Sequence, residues 1–258
     1  MIISHRYKFL FIGLPFSASS AITKDLHEEH DGKPYLRKHS LYHEFVKVAT
    51  DEEKKYFVFA VLRNPMEITV TVYEKMKSNS KGNFTNPDLF TENGGYISKK
   101  HRERFNFIQE NNATFQEYFI KFFNKPLDNF TSITLDNCNY IIRYENIAED
   151  YKTALIKAGV KNPKPLAVTN KTSGKKKDIT EYYTEEVQRL SLFVFGPFLS
   201  KYNYEFPDKW INKEVPFSAY FLFKIGKIAR RLKWKIKKHS NRKSIKGSIY
   251  GDMQRKKN

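Results

Sequence analysis

The sequence predicts an α/β fold in which a parallel sheet is flanked by helices. Apolar runs at residues 8–13, 57–62 and 139–143 have the length of buried strands, and segments with helical periodicity lie between them. Strands that alternate with helices along a chain assemble into a parallel sheet whose faces the helices cover. A further strand is predicted at residues 34–37.

The first strand runs into a turn of small hydroxyl residues. After the strand, residues 14–20 read Leu-Pro-Phe-Ser-Ala-Ser-Ser, immediately before a predicted helix. A helix that begins there offers unpaired backbone amides to an anion. Taken alone, Ser17, Ser19 and Ser20 fit an ordinary helix N-cap equally well.

The second strand, at residues 57–62, is followed by Arg63-Asn64-Pro65. A guanidinium group at the end of a strand suits bidentate binding of a phosphate. Asn64 capping a helix with Pro65 at its first position is by itself a purely structural arrangement. A binding role is favoured because the hydroxyl residue Thr71 follows two helical turns later.

Two later segments also contain polar or basic residues at the end of a strand or before a helix. Residues 140–146 read Tyr-Ile-Ile-Arg-Tyr-Glu-Asn, a strand followed by a turn. Residues 168–177 read Val-Thr-Asn-Lys-Thr-Ser-Gly-Lys-Lys-Lys and precede a helix predicted at residues 182–198, which we expect Gly196-Pro197 to end. A lysine run is by default a solvated charged surface, and only its place before that helix favours contact with a nucleotide.

Over residues 1–210 these four segments, in this order, resemble the sulfotransferase superfamily, whose members move a sulfuryl group from 3′-phosphoadenosine-5′-phosphosulfate to an acceptor. The resemblance implies a P-loop-like fold in which the first loop binds the 5′-phosphosulfate. Arg63 and Thr71 match the family positions that bind the 3′-phosphate. The nucleotide-binding residues that the resemblance implies are Pro15, Phe16, Ser17, Ala18, Ser19, Ser20, Ala21, Arg63, Thr71, Asn170, Lys171 and Lys175.

One position departs from the family pattern. The family's first loop carries a lysine that touches the bridging oxygen of the leaving phosphosulfate, and Phe16 stands there in this chain. Because a phenyl ring neither donates a hydrogen bond nor carries charge, another group must stabilise the departing phosphate. The candidates are the backbone amides of residues 17–20, Lys24 and Lys38.

A base that activates the acceptor is predicted in residues 37–44, which read Arg-Lys-His-Ser-Leu-Tyr-His-Glu. Transfer to a hydroxyl group requires a base within hydrogen-bond reach of the acceptor oxygen, and imidazole titrates near neutral pH without special tuning. His39 is the first candidate, with His43 and Glu44 as alternatives. The predicted catalytic residues are therefore His39 and Lys38.

Other chemistries find little support in the sequence. Gly-x-x-x-x-Gly-Lys-Ser/Thr is absent, which disfavours an ordinary P-loop kinase or ATPase. Cys138 is the single cysteine, which excludes an intrachain disulfide or a thiolate cluster within one chain. The histidines lack the spacing of a zinc site, so no metal is predicted.

The net charge of +18 is concentrated at the C-terminal end of the 258 residues. From residue 211 onward there are 15 Lys and Arg against two Asp and Glu. We therefore predict a sulfotransferase-like domain at residues 1–210 and a basic tail at 211–258. Apolar residues recur at helical spacing in the tail beside a basic face, which predicts an amphipathic helix, and residues 240–258 are predicted to be disordered.

The sequence thus predicts a sulfotransferase acting on a hydroxyl of a carbohydrate or glycolipid. The alternative is a non-catalytic protein that binds a nucleotide or polyanion and has lost the loop lysine. The tail fits an anionic membrane surface, docking on the folded domain, or capture of an acidic glycan or nucleic acid; the membrane is favoured and nucleic acid is disfavoured as a partner. A cytoplasmic protein, peripheral to a membrane, is predicted because no apolar stretch is long enough to span one.

Overall fold

The computed structural model describes residues 1–127, 130–166, 178–236 and 249–255. Within these ranges five strands form one mixed sheet with flanking helices. The strands are β1 (Ile2–Ser4), β2 (Phe9–Ile12), β3 (Lys33–Pro34), β4 (Phe57–Leu62) and β5 (Tyr140–Arg143). The α-helices are α1 (Ser19–Glu29), α2 (Tyr42–Val46), α3 (Pro65–Lys77), α4 (Lys99–Glu110), α5 (Phe115–Phe122), α6 (Phe130–Leu135), α7 (Ile147–Lys157), α8 (Glu185–Lys201), α9 (Phe217–Ile236) and α10 (Ile249–Met253).

The chain divides into two compact units. The first comprises Met1–Arg63, Asn129–Asn170 and Ile228–Asn258, and contains the whole sheet. The second comprises Asn64–Asp128 and Lys171–Lys227 and is helical in its described part. Helix α9 begins in the second unit and ends in the first.

The prediction of an α/β fold is confirmed, but the sheet is not purely parallel. Its strand order is β3-β1-β2-β4-β5; β2, β4 and β5 run parallel, whereas β1 is antiparallel to both β2 and β3. The sequence analysis missed β1 because three apolar residues are too few to reveal a period. A short turn with Lys8 at φ +49° returns the chain beside β1, and such a turn can only make an antiparallel pair.

The strand predicted at residues 34–37 was placed wrongly. The observed strand, β3, comprises only Lys33–Pro34 and lies at the sheet edge, where the lack of an amide hydrogen on Pro34 is tolerated. The chain then leaves the extended conformation at Leu36, which has φ +56°. Residues 37–39 are consequently free of the strand ladder and lie in a loop.

The register of the parallel strands determines which residues meet at their carboxyl ends. Leu62 at the end of β4 pairs with Arg143 at the end of β5. Because the strands run parallel, the next residues of each, Arg63 and Tyr144, become neighbours beyond the sheet. A 3₁₀ turn at Tyr144–Asn146 then leads into α7, as the predicted strand-and-turn segment requires.

The core of the first unit is aromatic. Phe9, Phe11 and Phe59 are fully buried on one face of the sheet, with ring centroids 5.3–5.6 Å apart for the pairs that involve Phe59. Helices α1 and α7 contribute apolar side chains to the same cluster, as does Tyr250 of α10. Burial of rings of this size dominates the energetics of such a core and fixes the strands that carry the loops.

The second unit is built around α3, α5 and α8. Asn64 caps α3 by accepting a hydrogen bond from the Met66 amide at 2.9 Å, and Pro65 occupies the first helical position. The buried ring of Tyr183 lies edge-on to Phe115 at 4.9 Å, and its hydroxyl donates to the Met66 carbonyl at 3.0 Å. These contacts tie the start of α3 to the aromatic core.

Two predictions about the C-terminal third were wrong. Helix α8 does not end near Pro197 but continues through it to Lys201, since Phe198 and Leu199 of that last turn are buried in apolar contacts. Residues 249–255, where we expected disorder, include α10, and Tyr250 is 1% exposed. Its hydroxyl lies 2.9 Å from the Tyr35 carbonyl oxygen and so secures the segment that follows β3.

Candidate functional site

The loop between β2 and α1 has a backbone suited to an anion. Phe16 and Ala18 have φ +61° and φ +54°, and Ser17 between them does not have a positive φ. Alternation between left- and right-handed residues turns successive amides toward one concave surface. Within the described part of the chain, the amides of Ala18, Ser19 and Ser20 donate to no protein acceptor, and α1 has no acidic residue in its first turn.

The serine side chains of this loop have different environments. The Ser17 hydroxyl is buried and donates to the Leu14 carbonyl at 2.7 Å, so it holds the loop together. Ser19 is buried, whereas Ser20 is partly exposed and accepts a hydrogen bond from Lys38. The loop therefore presents mainly backbone amides and the Ser20 hydroxyl, and the Ser17 side chain is structural.

Gly13 is the point at which the loop meets the segment after β3. A methyl group at Gly13 would lie 3.2 Å from Ser19 Cβ and 3.3 Å from the Lys38 carbonyl oxygen, tighter than most packed contacts of this kind. The Gly13 carbonyl also lies 2.6 Å from Nδ1 of His39. Glycine thus permits this close approach without a shift of its neighbours, and the approach brings Lys38 and His39 against the start of α1.

Lys38 reaches the first turn of α1. Its Nζ donates to Ser20 Oγ at 2.6 Å, and desolvation lowers the pKa of this amine below its ordinary value. An ammonium group at a helix N-terminus adds its charge to that of the helix dipole. The structure therefore brings one of the candidate replacements for the loop lysine to the loop itself.

Lys24, the other candidate lysine, lies elsewhere. It is exposed, is 4.0 Å from Glu28, and lines a cavity of about 320 Å³ together with residues of α10 such as Asp252. It is one turn into α1, on the side of that helix which faces α10. Among the two lysines, only Lys38 contacts the loop.

His39 is held in a defined tautomer. Because a carbonyl oxygen only accepts, Nδ1 carries the proton in the bond to Gly13, which leaves the lone pair on Nε2. The residue as a whole keeps exposed surface. Desolvation, together with the nearby Lys38 and Arg37 cations, lowers the pKa of His39 below its ordinary value, so the ring is neutral at pH 7.

The two alternative bases are placed differently. One Glu44 oxygen accepts a hydrogen bond from the Leu41 amide at 3.0 Å and the other lies 3.7 Å from Arg37, so this buried carboxylate caps α2. His43 lies on α2, where desolvation followed by the Arg231 and Lys47 cations lowers its pKa. Of these residues, His39 is the one in contact with the loop.

Arg63 contacts the loop from the neighbouring strand. Its Nη1 donates to the Phe16 carbonyl at 3.1 Å, and its guanidinium lies 4.4 Å from the centre of the Tyr144 ring. Stacking on an aromatic ring restricts the orientation of the guanidinium plane. Tyr144 is thus a positioning residue that was not predicted from the sequence. It is identified by the register of β4 and β5, which places it next to Arg63.

Other predicted residues belong to the second unit or lie outside the described residues. Thr71 belongs to the second unit; its hydroxyl is buried and bonds to no described residue, which is unusual for a buried polar group. Burial raises the pKa of the Cys138 thiol to about 12, which is contrary to a nucleophilic role. The predicted basic loop, with Asn170, Lys171 and Lys175, lies outside the described residues.

Comparisons with protein-family models, with curated proteins and with solved structures gave no match for this chain.

Proposed function

We propose that the chain is a sulfotransferase that moves a sulfuryl group from 3′-phosphoadenosine-5′-phosphosulfate to a hydroxyl of a carbohydrate or glycolipid. The observation that carries the proposal is the convergence on one loop of Lys38, His39 and Arg63, which come from two separate segments of the first unit, the loop after β3 and the end of β4. Two cations, Lys38 and Arg63, beside a helix N-terminus suit a nucleotide that carries both a phosphosulfate and a 3′-phosphate.

In the proposed reaction the acceptor oxygen attacks sulfur as the bond from sulfur to the bridging phosphate oxygen breaks. Negative charge develops on that oxygen, and adenosine 3′,5′-bisphosphate leaves. This negative charge is stabilised by the amides of residues 18–20 and by the Lys38 ammonium group, which replace the lysine that the family carries in its first loop. Nε2 of His39 accepts the proton that the acceptor hydroxyl loses.

Arg63 binds the 3′-phosphate in this proposal, with its orientation fixed by Tyr144. Thr71 is the other residue that the family resemblance assigns to this phosphate, and its buried hydroxyl bonds to no described residue. A group that selects the 3′-phosphate distinguishes this nucleotide from the common adenosine phosphates. Arg63 is therefore the residue whose removal tests the binding site most selectively.

Calorimetric titration with adenosine 3′,5′-bisphosphate tests the site. We expect Arg63→Ala to weaken binding by about 10- to 100-fold, the loss of one charge-assisted phosphate contact. Arg6→Ala is the matched control, because Arg6 also stacks on a tyrosine, Tyr7, at 5.2 Å, but does so in the β1–β2 turn. Equal affinities of wild type and Arg63→Ala would refute the assigned binding site.

A second candidate function is binding of the nucleotide without transfer. Phe16 favours it, because the ring is 38% exposed at the position where the family carries its lysine. This alternative predicts tight binding of adenosine 3′,5′-bisphosphate with no release of that product from the sulfate donor in the presence of a pool of glycan acceptors. Product release that requires His39 would exclude it.

A further inference from the structure

Helix α9 exposes a continuous apolar stripe. Six large apolar side chains, spaced three or four residues apart, are each 47–84% exposed. They are Phe217, Phe221, Ile225, Ile228, Leu232 and Ile236. Spacing of this kind places them on one face along the full length of a helix, which at 20 residues extends for about 30 Å.

The opposite face of α9 is the one that packs. Ala219, Phe223 and Trp234 are buried, and at about 100° per residue they lie on average about 180° from the exposed stripe. The helix is also fixed through polar contacts of its last turns: Lys47 Nζ donates to the Trp234 carbonyl at 3.1 Å, and Arg231 lies 3.1 Å from Asp136. The apolar stripe is therefore directed away from the protein by a helix whose other side is already docked.

The charge of α9 is of one sign. The helix carries six Lys and Arg and no Asp or Glu. Three of the cations, Lys224, Lys227 and Lys235, lie along one flank of the stripe by the same helical geometry, and Arg231 on that flank is paired with Asp136. A helix with an apolar face bordered by cations lies in the interface of an anionic bilayer, with the apolar side chains among the acyl chains and the cations at the headgroups.

We propose that α9 docks the protein on an anionic membrane surface through this stripe. None of the described helices has the length and apolar composition that crossing a bilayer requires, so the contact is peripheral. A second copy of the chain is a poorer occupant, because two such helices would bring cations together. A nucleic acid is also a poorer occupant, because it would leave the apolar side chains in water. The proposal holds whether or not the chain transfers sulfuryl groups.

Vesicle flotation of the full chain tests the proposal. We expect binding to phosphatidylcholine vesicles that contain about one third phosphatidylserine, weaker binding to pure phosphatidylcholine, and loss of binding as salt is raised. The double variant Phe221→Ser/Ile228→Ser should lower the partition coefficient at least about tenfold, since two large apolar side chains no longer enter the bilayer.

The matched control is Ile120→Ser/Ile156→Ser, which removes two isoleucines that are 47% and 54% exposed on α5 and α7. This control should bind vesicles as the wild type does, and both double variants should retain the wild-type melting temperature. Wild-type partition by the α9 variant would overturn the proposal. So would a dimer of the wild type that the α9 substitutions dissociate, or an RNA oligonucleotide whose binding the same substitutions abolish.

Discussion

The parallel and antiparallel halves of the sheet contribute different parts of the candidate site. The parallel strands β2 and β4 carry the Ser-rich loop and Arg63, groups suited to hold an anion. The antiparallel edge, β1 and β3, leads into Lys38 and His39, the groups suited to the chemical step. The proposed binding groups therefore follow directly from strand ends, whereas the proposed reacting groups depend on long-range contacts that fold a loop back onto Gly13.

If the proposed reaction is right, substitutions in the two halves should have different effects, one on nucleotide affinity and the other on the turnover number. Substitutions in the segment after β3 should impair transfer and leave nucleotide affinity nearly intact, because the described contacts of that segment with the loop are side-chain and carbonyl contacts. Substitution of Arg63 should do the reverse.

His39→Ala should lower the turnover number by about 10²- to 10⁴-fold, the contribution typical of a positioned base. Calorimetry should find adenosine 3′,5′-bisphosphate bound with unchanged affinity. His5→Ala is the control, because its Nδ1 also makes a single hydrogen bond, to the Tyr56 hydroxyl at 3.0 Å, away from the loop. A variant without His39 that turns over at the wild-type rate would remove this residue from the base role.

Lys38→Met should lower the turnover number by about 10²- to 10³-fold, the loss that follows removal of one group that stabilises developing charge. Lys24→Met should have little effect, because Lys24 lies beside Glu28 and away from the loop. Steady-state rates of the two variants at saturating donor decide between the lysines. A larger loss in Lys24→Met would reverse the assignment.

The pH profile of kcat/KM reports the ionisation of the base. Because the pKa of His39 is lowered, the neutral, proton-accepting form persists to a pH below the ordinary histidine value of about 6.5. The rate should therefore fall on the acid side only below that pH. An acid limb at or above pH 6.5 would contradict the environment that we describe for His39.

Tyr250→Phe should have the smallest effect. It removes the hydroxyl that lies 2.9 Å from the Tyr35 carbonyl and 3.1 Å from that of Leu36, and should lower the free energy of unfolding by about 1–3 kcal/mol. Turnover should decline while nucleotide affinity is retained. Tyr96→Phe, at a tyrosine that is 52% exposed, is the control. Thermal melting without a difference between the two variants would show that α10 does not secure this segment.

Much of the fold could be predicted because its signals are local. The apolar runs of β2, β4 and β5 are long enough to be recognised as strands in the sequence, and capping residues such as Asn64 mark helix starts. The two shortest strands could not be predicted correctly: β1 was missed and β3 was misplaced, because they are three and two residues long and form through pairing with each other and, for β1, with β2. Order in α10 was missed because burial of Tyr250 against the first unit is a tertiary contact.

The candidate site was predictable to the same extent. The loop and Arg63 come directly after β2 and β4, two strands that the sequence predicts, so their positions could be predicted as well. The choice of Lys38 over Lys24, and of Ser20 over Ser17 as the accessible hydroxyl, depends on contacts between segments far apart in the chain. Tyr144 required the register of two strands, which the sequence does not reveal.

The account depends most on a site that recognises a 3′-phosphorylated nucleotide. The most direct measurement is calorimetric titration of the wild-type chain with adenosine 3′,5′-bisphosphate and, separately, with adenosine 5′-monophosphate. We predict that the bisphosphate binds at least about tenfold more tightly, because only it offers the 3′-phosphate to Arg63. Equal affinity for the two nucleotides, or binding of neither, would contradict the proposed site.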